Sequence, residues 1–497
     1  MFRTIVEKSL SQRLLVLAAA IVLILYGALV VQKTPVDVFP DLNKPTVTLM
    51  TEAGGMAPEE VEALITFPIE TAMNGMAGVA AVRSVSSAGL SIVYVQFDWE
   101  VEIYLARQMI TERLSLIQSQ LPPGVVPHMG PVASIMGEIL LIAIPITAPT
   151  AAAIEPAAGA AQRPAMAARE YADWVLRPRL LTIPGVAQVI PIGGEVRQFQ
   201  VQPDTVRMAA LGITLDQVDE ALRGFAANTS GGFLELNSRE YLIRNLGRTS
   251  RLEDLQRLPL TARNGQPILL AQVASVGFAP AIRRGDAGLN GQPAVILSVQ
   301  KQPAADTVAL TRQVEAALAE LKGGLPVGMA APRVTFRQAD FIEASIRNLE
   351  LKLAAAAVFV AAVLHLFLGN LRATLISLTA IPVSILTAAL VFRYFGLSIN
   401  TMTLGGLAIA IGELVDDAVV DLENIIRRLR QNRQKPAPEP PLRVIVNASN
   451  EVRSGIVVST LIIALVFVPL FALPGLEGRF FIPLGVAYLT AILASLV

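Results

Sequence analysis

Cysteine is absent from this 497-residue chain, and histidine and tryptophan occur only twice each. The first absence excludes disulfides, thiolate metal sites and cysteine nucleophiles, and leaves methionine as the soft-metal ligand. No Gly-Lys dipeptide occurs, so there is no Walker A loop and no sign of ATP hydrolysis; energy for any work must come from a gradient. His128, in PPGVVPHMGP, reads as a loop residue, and His365 lies in an apolar run, where a packed or interfacial role is commoner than ligation. Neither stands in a His-Glu-x-x-His or Gly-x-Ser-x-Gly setting, which argues against an enzyme, and nothing calls for a cofactor. Charge is scarce, 16% of residues, and balanced, 40 basic against 40 acidic. No basic tract is interleaved with aromatics, so no nucleic acid is expected as a partner.

What the chain has instead is apolar length. Hydrophobic residues make up 53% and mean hydropathy is +0.55, too high for an ordinary soluble chain, so the lipid bilayer is one of its solvents. Leu14–Gln32, between Arg13 and Lys33, is long enough to cross it. TPVDVFPDLNKP follows in place of a small-residue cleavage site, which favours an uncleaved anchor over a signal peptide. Further spans are expected at Leu353–Leu368, Ala373–Phe392, Thr401–Leu422, Ile456–Leu473 and Pro483–Val497, the last reading as a truncated helix. Lys8 and Arg13 precede the first span, and Arg427, Arg428, Arg430, Arg433, Lys435, Arg443 and Arg453 follow the fourth. The positive-inside rule then puts the N-terminus and a 425–455 loop in the cytoplasm and residues 34–348 outside, with Arg393 the one mild exception.

Residues 1–33 are thus a cytoplasmic N-terminus and first transmembrane helix, and 349–497 are transmembrane helices two to six. Between them, strands such as VTLMTEAG and SIVYVQFDW flank helices such as APEEVEALITFPIETAMNGM and YLARQMITERLSLIQSQLPPG in a β-α-β-α-β rhythm. ARQMITERLSLIQSQLPPGV at 106–125 is echoed by TRQVEAALAELKGGLPVGM at 311–329, and GVAAV at 78–82 by GVAQV at 185–189. Two related subdomains, 34–133 and 134–348, are the simplest explanation. An Ala/Pro-rich stretch at 147–168 reads as a flexible surface insertion. The expected fold class is a membrane α-helical bundle plus an extramembrane α+β domain with repeated ferredoxin-like βαβ subdomains. The methionines at 50, 56, 73, 76, 129 and 136 offer a soft-cation path but read better as core filler.

The fourth span, TMTLGGLAIAIGELVDDAVVDLENIIRRL, carries Glu413, Asp416, Asp417, Asp421 and Glu423 within eleven residues. Each carboxylate near the bilayer centre costs on the order of 3 kcal/mol, so such residues face protein interior or a water path. At about 100° per residue these five and Asn424 fall within an arc of roughly 160°, leaving Leu414, Val415, Val419 and Leu422 on the other side. Burial and like-charge neighbours favour proton uptake and release, which is the chemistry of a proton relay. Asp416, deepest among apolar residues, is its expected centre, with Glu413, Asp417 and Glu423 as further members; Asp421 and Glu423 approach the interfacial layer. A drug or amphiphile exporter would want aromatic-rich pockets, and aromatics are 5%. A non-transporting envelope scaffold would gain nothing from carboxylates in the bilayer.

FRTIVEKSLSQRLLVLAAA, PVDVFPDLNKPTVTLMTEAGGMAPEEVE, ADWVLRPRLLTIPGVAQVIPIGGEVRQFQV and IAIGELVDDAVVDLENIIRRL together resemble the resistance-nodulation-division (RND) superfamily, specifically its heavy-metal efflux branch. The resemblance covers nearly the whole chain apart from the Ala/Pro stretch. It implies a homotrimeric metal cation/proton antiporter in the inner membrane of a Gram-negative bacterium. A periplasmic porter domain would hand cation to a periplasmic adaptor (membrane fusion) protein and an outer-membrane channel. Under this resemblance Asp416 matches the intramembrane relay aspartate, and Glu423 with Asn424 match a Glu-Asn pair. Met402 matches a methionine of the copper and silver type, from which Leu414 and Asp421 depart; Ala410 departs from an aspartate of the zinc, cobalt and cadmium type. Met402 and Asn424 are therefore substrate-path candidates, and metal identity stays open. The resemblance is to the N-terminal half of such a pump, with the main cation site and the relay's lysine and acidic partners in the other half. This chain by itself is expected to fold poorly or be inactive; efflux conferred by it alone would overturn that expectation.

Overall fold

A computed structural model describes residues 2–40, 42, 44–132, 137–146, 163–225, 229–236, 239–245, 251–263, 265–283, 285–303, 305–326 and 329–496. Most of the Ala/Pro stretch, 147–162, and Met136 lie outside the described residues. A short helix, α1 (Phe2–Ser11), leads into α2 (Arg13–Lys33), the first expected span.

The first external unit runs β1 (Thr46–Glu52), a helical segment over Pro58–Val61, Glu62–Thr66 and Phe67–Met73, β2 (Val79–Ser87), β3 (Leu90–Phe97), α3 (Ile103–Ile117) and β4 (His128–Met129). Its strands pair antiparallel in the order β2-β3-β1-β4. Alternation along β1 and β3 buries Val47, Leu49, Val93, Val95 and Phe97 against Ile65, Ile69 and Ile110 of the helices. The β-α-β-α-β rhythm read from sequence is one strand short, because β2 and β3 form a hairpin turned at Gly89, φ +71°. Strand β2 begins on the echoed motif GVAAV. His128 is a strand residue opposite Met50, not a loop residue. The filler reading of the methionines fits Met73 and Met76, which are buried, and Met56 and Met129, which pack on the same core; Met50 is 43% exposed.

The second unit repeats this order: β5 (Glu138–Pro145), a helical segment over Pro164–Tyr171, Ala172–Leu176 and Arg177–Leu181, β6 (Val186–Ile192), β7 (Gln292–Lys301), α4 (Thr307–Leu321) and β8 (Arg333–Arg337). Its strands pair β6-β7-β5-β8, with the two-residue strand Gly288–Leu289 added beside β7. Both sequence echoes fall at equivalent places, one in α3 and α4 with their exits, the other at the starts of β2 and β6. A third correspondence is conformational: Glu62–Thr66 and Ala172–Leu176 are widened π turns, each placing a proline, Pro68 or Pro178, one residue into the next run. Proline has no N–H and its ring strikes the carbonyl of a regular preceding turn; the wider turn accommodates both.

Two sequence readings need correction here. The end of the supposed flexible insertion is core helix, with Met166 and Ala168 4% and 2% exposed. Residues 134–348 also hold more than one subdomain. Between β6 and β7 lies a third unit, with antiparallel strands Arg197–Pro203 and Ala274–Pro280, helices Thr205–Leu211 and Leu215–Gly224, and a core of its own around Met208, Val218, Leu270 and Val273.

The remaining helices are α5 (Gln338–Leu368), α6 (Leu371–Phe395), α7 (Thr401–Arg433), α8 (Pro441–Phe471) and α9 (Gly475–Leu496). Helix α5 leaves β8 without a break, and Arg337 at the joint pairs with Glu315 at 2.9 Å, with Glu343 at 3.4 Å and with Asp340. Those carboxylates hold its guanidinium pKa above the ordinary value against the opposing effect of burial, which is the largest single influence. Among the described residues, α2, α5, α6, α8 and α9 are long and apolar enough to cross a membrane. Helix α7 is not among them, because Glu413, Asp416 and Asp417 already fall within 401–418. It packs instead among α6, α8 and α9. The expected 425–455 loop is mostly helix: α7 continues to Arg433 and α8 starts at Pro441, so the proline-rich QKPAPEP at 434–440 is the whole break.

Contact between α7 and α9 depends on small side chains. Ala410, Ala487 and Ala491 are fully buried, and a Cβ on Gly406 would sit 2.4 Å from the Leu484 carbonyl oxygen. Gly406→Ala is therefore expected to lower stability by about 1–3 kcal/mol, measured as a shift in thermal unfolding of the detergent-solubilised protein. Tyr171, 5% exposed, has a hydroxyl with no hydrogen-bond partner among the described residues, and burial raises its pKa. Tyr171→Phe is expected to be neutral or stabilising by about 1 kcal/mol in the same measurement.

Candidate functional site

Helix α7 starts from a fixed point. Asn400, 1% exposed, caps it: Oδ1 accepts from the N–H groups of Met402 and Thr403 at 3.0 Å each, while its own N–H donates to Thr403 Oγ1 at 2.8 Å. Half-buried Met402 sits in this first turn.

Farther along, the single polar arc divides in two. Asp416 and Glu423 lie on an open side shared with Ile409 and Val420, whereas Glu413, Asp417 and Asp421 are half-buried toward the neighbouring helices. Leu414 and Val415, expected on the apolar side, are buried in helix packing. Asp417 and Asp421 line a cleft of about 260 Å³ with Ser377 of α6, Arg453 of α8 and Ser495 of α9. Asp421 Oδ2 accepts from Ser449 Oγ at 3.2 Å. Its Oδ1 and the Ser377 hydroxyl, both buried, have no hydrogen-bond partner among the described residues. Glu413 and Asp416 act on Asp417 as like charges and Arg453 as the opposite one. A carboxyl cluster of this kind, with one guanidinium beside it in an apolar bundle, is suited to exchanging protons.

Asn424 is buried at 4% exposure and turned to α8. Its amide donates to the Ala448 carbonyl at 2.7 Å and to Glu451 at 3.3 Å, and accepts from Arg427 at 2.7 Å. It thus cross-links two helices. Arg453 and Ser377, which line the cleft, and Ser449, which bonds Asp421, were not singled out by sequence reasoning. Arg453 entered it only as a marker of the cytoplasmic side, and nothing in the spacing of residues on α6 and α8 tells that they converge on α7. Among the described residues no three His, Asp or Glu side chains are grouped to hold a metal ion.

Over nearly its whole length the chain is similar to known proteins. Cation efflux system protein CusA of Escherichia coli (strain K12) is 36% identical over 98% of this chain and 46% of its own length. Cobalt-zinc-cadmium resistance protein CzcA of Cupriavidus metallidurans is 33% identical over 100% of this chain and 46% of its own. A solved heavy metal efflux pump superposes with a TM-score of 0.84 at 27% identity, over 99% of this chain and 47% of that one. The chain therefore spans about half the length of the relatives it matches. Residues 5–497 match the AcrB/AcrD/AcrF family, and this membrane protein belongs to that RND family.

Proposed function

We propose that this chain works as part of a proton-driven exporter of a heavy-metal cation, an antiporter and not an enzyme. It would sit in the inner membrane of a Gram-negative bacterium, its external units in the periplasm, as a homotrimer with a periplasmic adaptor and an outer-membrane channel. The observation that carries the reading is the run of five carboxylates on α7, three of them, Glu413, Asp417 and Asp421, half-buried toward the neighbouring helices. Carboxylates so placed cost free energy that a purely structural helix would avoid. The functions for which the relatives are named, cation efflux and cobalt-zinc-cadmium resistance, support a metal cation as cargo.

In this reading Asp416 on the open side and Asp417 in the cleft are the central proton carriers, with Glu413 toward the outer end of α7 and Glu423 toward the inner end. Met402 is a candidate for the substrate path. Asn424 belongs first to the α7–α8 joint, whatever else it does. Both external units follow a β-α-β-β-α-β order, which supports naming them ferredoxin-like.

The test is metal uptake into inside-out vesicles bearing the full-length protein under an imposed proton gradient, across copper, silver, zinc, cobalt and cadmium. Uptake of one ion by wild type, reduced to background in Asp416→Asn and Asp417→Asn but only slowed in Glu423→Gln at the exposed end, is the expected outcome. No uptake of any metal, or full uptake by Asp416→Asn, would sink the proposal. Asn424→Leu, by contrast, is expected to lower thermal stability by about 1–3 kcal/mol through lost buried hydrogen bonds, an effect absent from Asp416→Asn.

A further inference from the structure

Lys301 closes β7, the strand between β5 and β6 in the second sheet, and its side chain is 8% exposed. Its ammonium donates to Asp37 Oδ2 at 3.0 Å, to the Ala305 carbonyl at 3.0 Å and to Thr307 Oγ1 at 2.7 Å. Asp37 belongs to the extended strap that follows α2, and that strap is bound in turn to the start of α7. The Asp37 N–H donates to the Ile399 carbonyl at 3.0 Å, and the Ile399 N–H to the Pro35 carbonyl at 2.9 Å. Thr401, the first residue of α7, donates to the Val38 carbonyl through both its N–H, at 3.0 Å, and its Oγ1, at 2.7 Å. A cavity of about 770 Å³ opens beside this junction, bordered by Asp37, Lys301, Gln338 and Asn400.

We propose that Lys301 is a positioning residue for transport: with Asp37 it latches strap 35–39, and through it the outer end of the carboxylate helix, to the second external sheet. This rests on the transport reading above. A displacement of α7 that accompanies a change of charge at its carboxylates has few rigid routes outward. The strap is one, because its backbone is tied by two hydrogen bonds to Thr401 and by two more to Ile399 just ahead of α7, while its carboxylate is held by a cation fixed in the sheet. The cavity leaves room for strap and sheet to shift together. A buried lysine is a costly way to fill a sheet end, and apolar packing of the same volume would often be more stable, so the pair is suited to fixing geometry more than to adding stability.

The experiment uses the full-length protein with Lys301→Met, Asp37→Asn and the conservative Lys301→Arg. Hydrogen exchange read by mass spectrometry is expected to rise in peptides covering 35–39 and 396–404 of Lys301→Met and Asp37→Asn, while the middle of α7 stays protected. In proteoliposomes the maximal cation flux of both variants is expected to fall about tenfold with KM unchanged within about twofold, and Lys301→Arg to recover most of it. Exchange unchanged at both peptides, or raised exchange with wild-type flux, overturns the latch. If wild type itself moves no cation, the transport reading fails, and raised exchange would leave only a structural strap. A Lys301→Met protein that is unfolded throughout would show exchange raised everywhere, and the milder Asp37→Asn then decides.

Discussion

Placing carboxylates in an otherwise apolar helix is the constraint on which the membrane half of this structure depends. A helix carrying Glu413, Asp416, Asp417 and Asp421 loses too much solvation to present all sides to lipid. Helices α6, α8 and α9 pack on it and leave one side open, and the fit is made close by Gly406, Ala410, Ala487 and Ala491. Close approach also brings Arg453 of α8 into the same cleft as Asp417 and Asp421, so that part of the negative charge is offset inside the bundle. By contrast α2, which carries no charge between Arg13 and Lys33, leaves Leu14, Val22 and Leu25 well exposed for lipid or another helix. The best-buried positions of this bundle are apolar and small, and the carboxylates sit at its partly buried and open edges.

The external half follows a different rule, repetition with one opened joint. In the first unit β2 and β3 are joined by Ala88 and Gly89 alone; in the second unit the same joint, between β6 and β7, holds the whole third unit. A hairpin tip tolerates such an insertion because the strands on either side keep their register and the closure cost grows only slowly with the length inserted. Val189 still faces Val299 and Ile190 still faces Ser298. The repeated sheet is preserved although β6 and β7 are about a hundred residues apart in sequence, where β2 and β3 are adjacent.

This explains what was legible in the sequence and what was not. The spans, the helices α3 and α4 and the two echoes were readable because each is a local pattern of apolar spacing or a short motif. The third unit was not, since the strand on its far side pairs with a strand about a hundred residues earlier, and no local pattern records that. At the site, the identity of the acidic residues was plain from composition, but an arc of about 160° on a helical wheel does not say which part of it meets neighbours. Only packing distinguishes Asp417, which enters the cleft, from Asp416, which stays on the open side. Asn424 misled for the same reason: beside a glutamate in sequence it looks like part of the polar path, and in space it holds α8.

The division of the acidic arc also bears on what α7 can recognise. A divalent metal ion needs several donors converging at fixed distances, commonly four to eight. On α7 the positions that would add donors to the carboxylates, Ala410 and Leu414, are fully buried in helix contact, and Asp416 lies on the opposite side from Asp421. A proton needs one carboxyl group at a time, and a spread of carboxyls along two sides of a helix suits stepwise transfer better than chelation. Under the proposed transport reading, α7 is therefore better suited to passing protons than to choosing a metal. That reading then assigns the choice of cargo to residues elsewhere and calls for a mechanical link between the bundle and the external units.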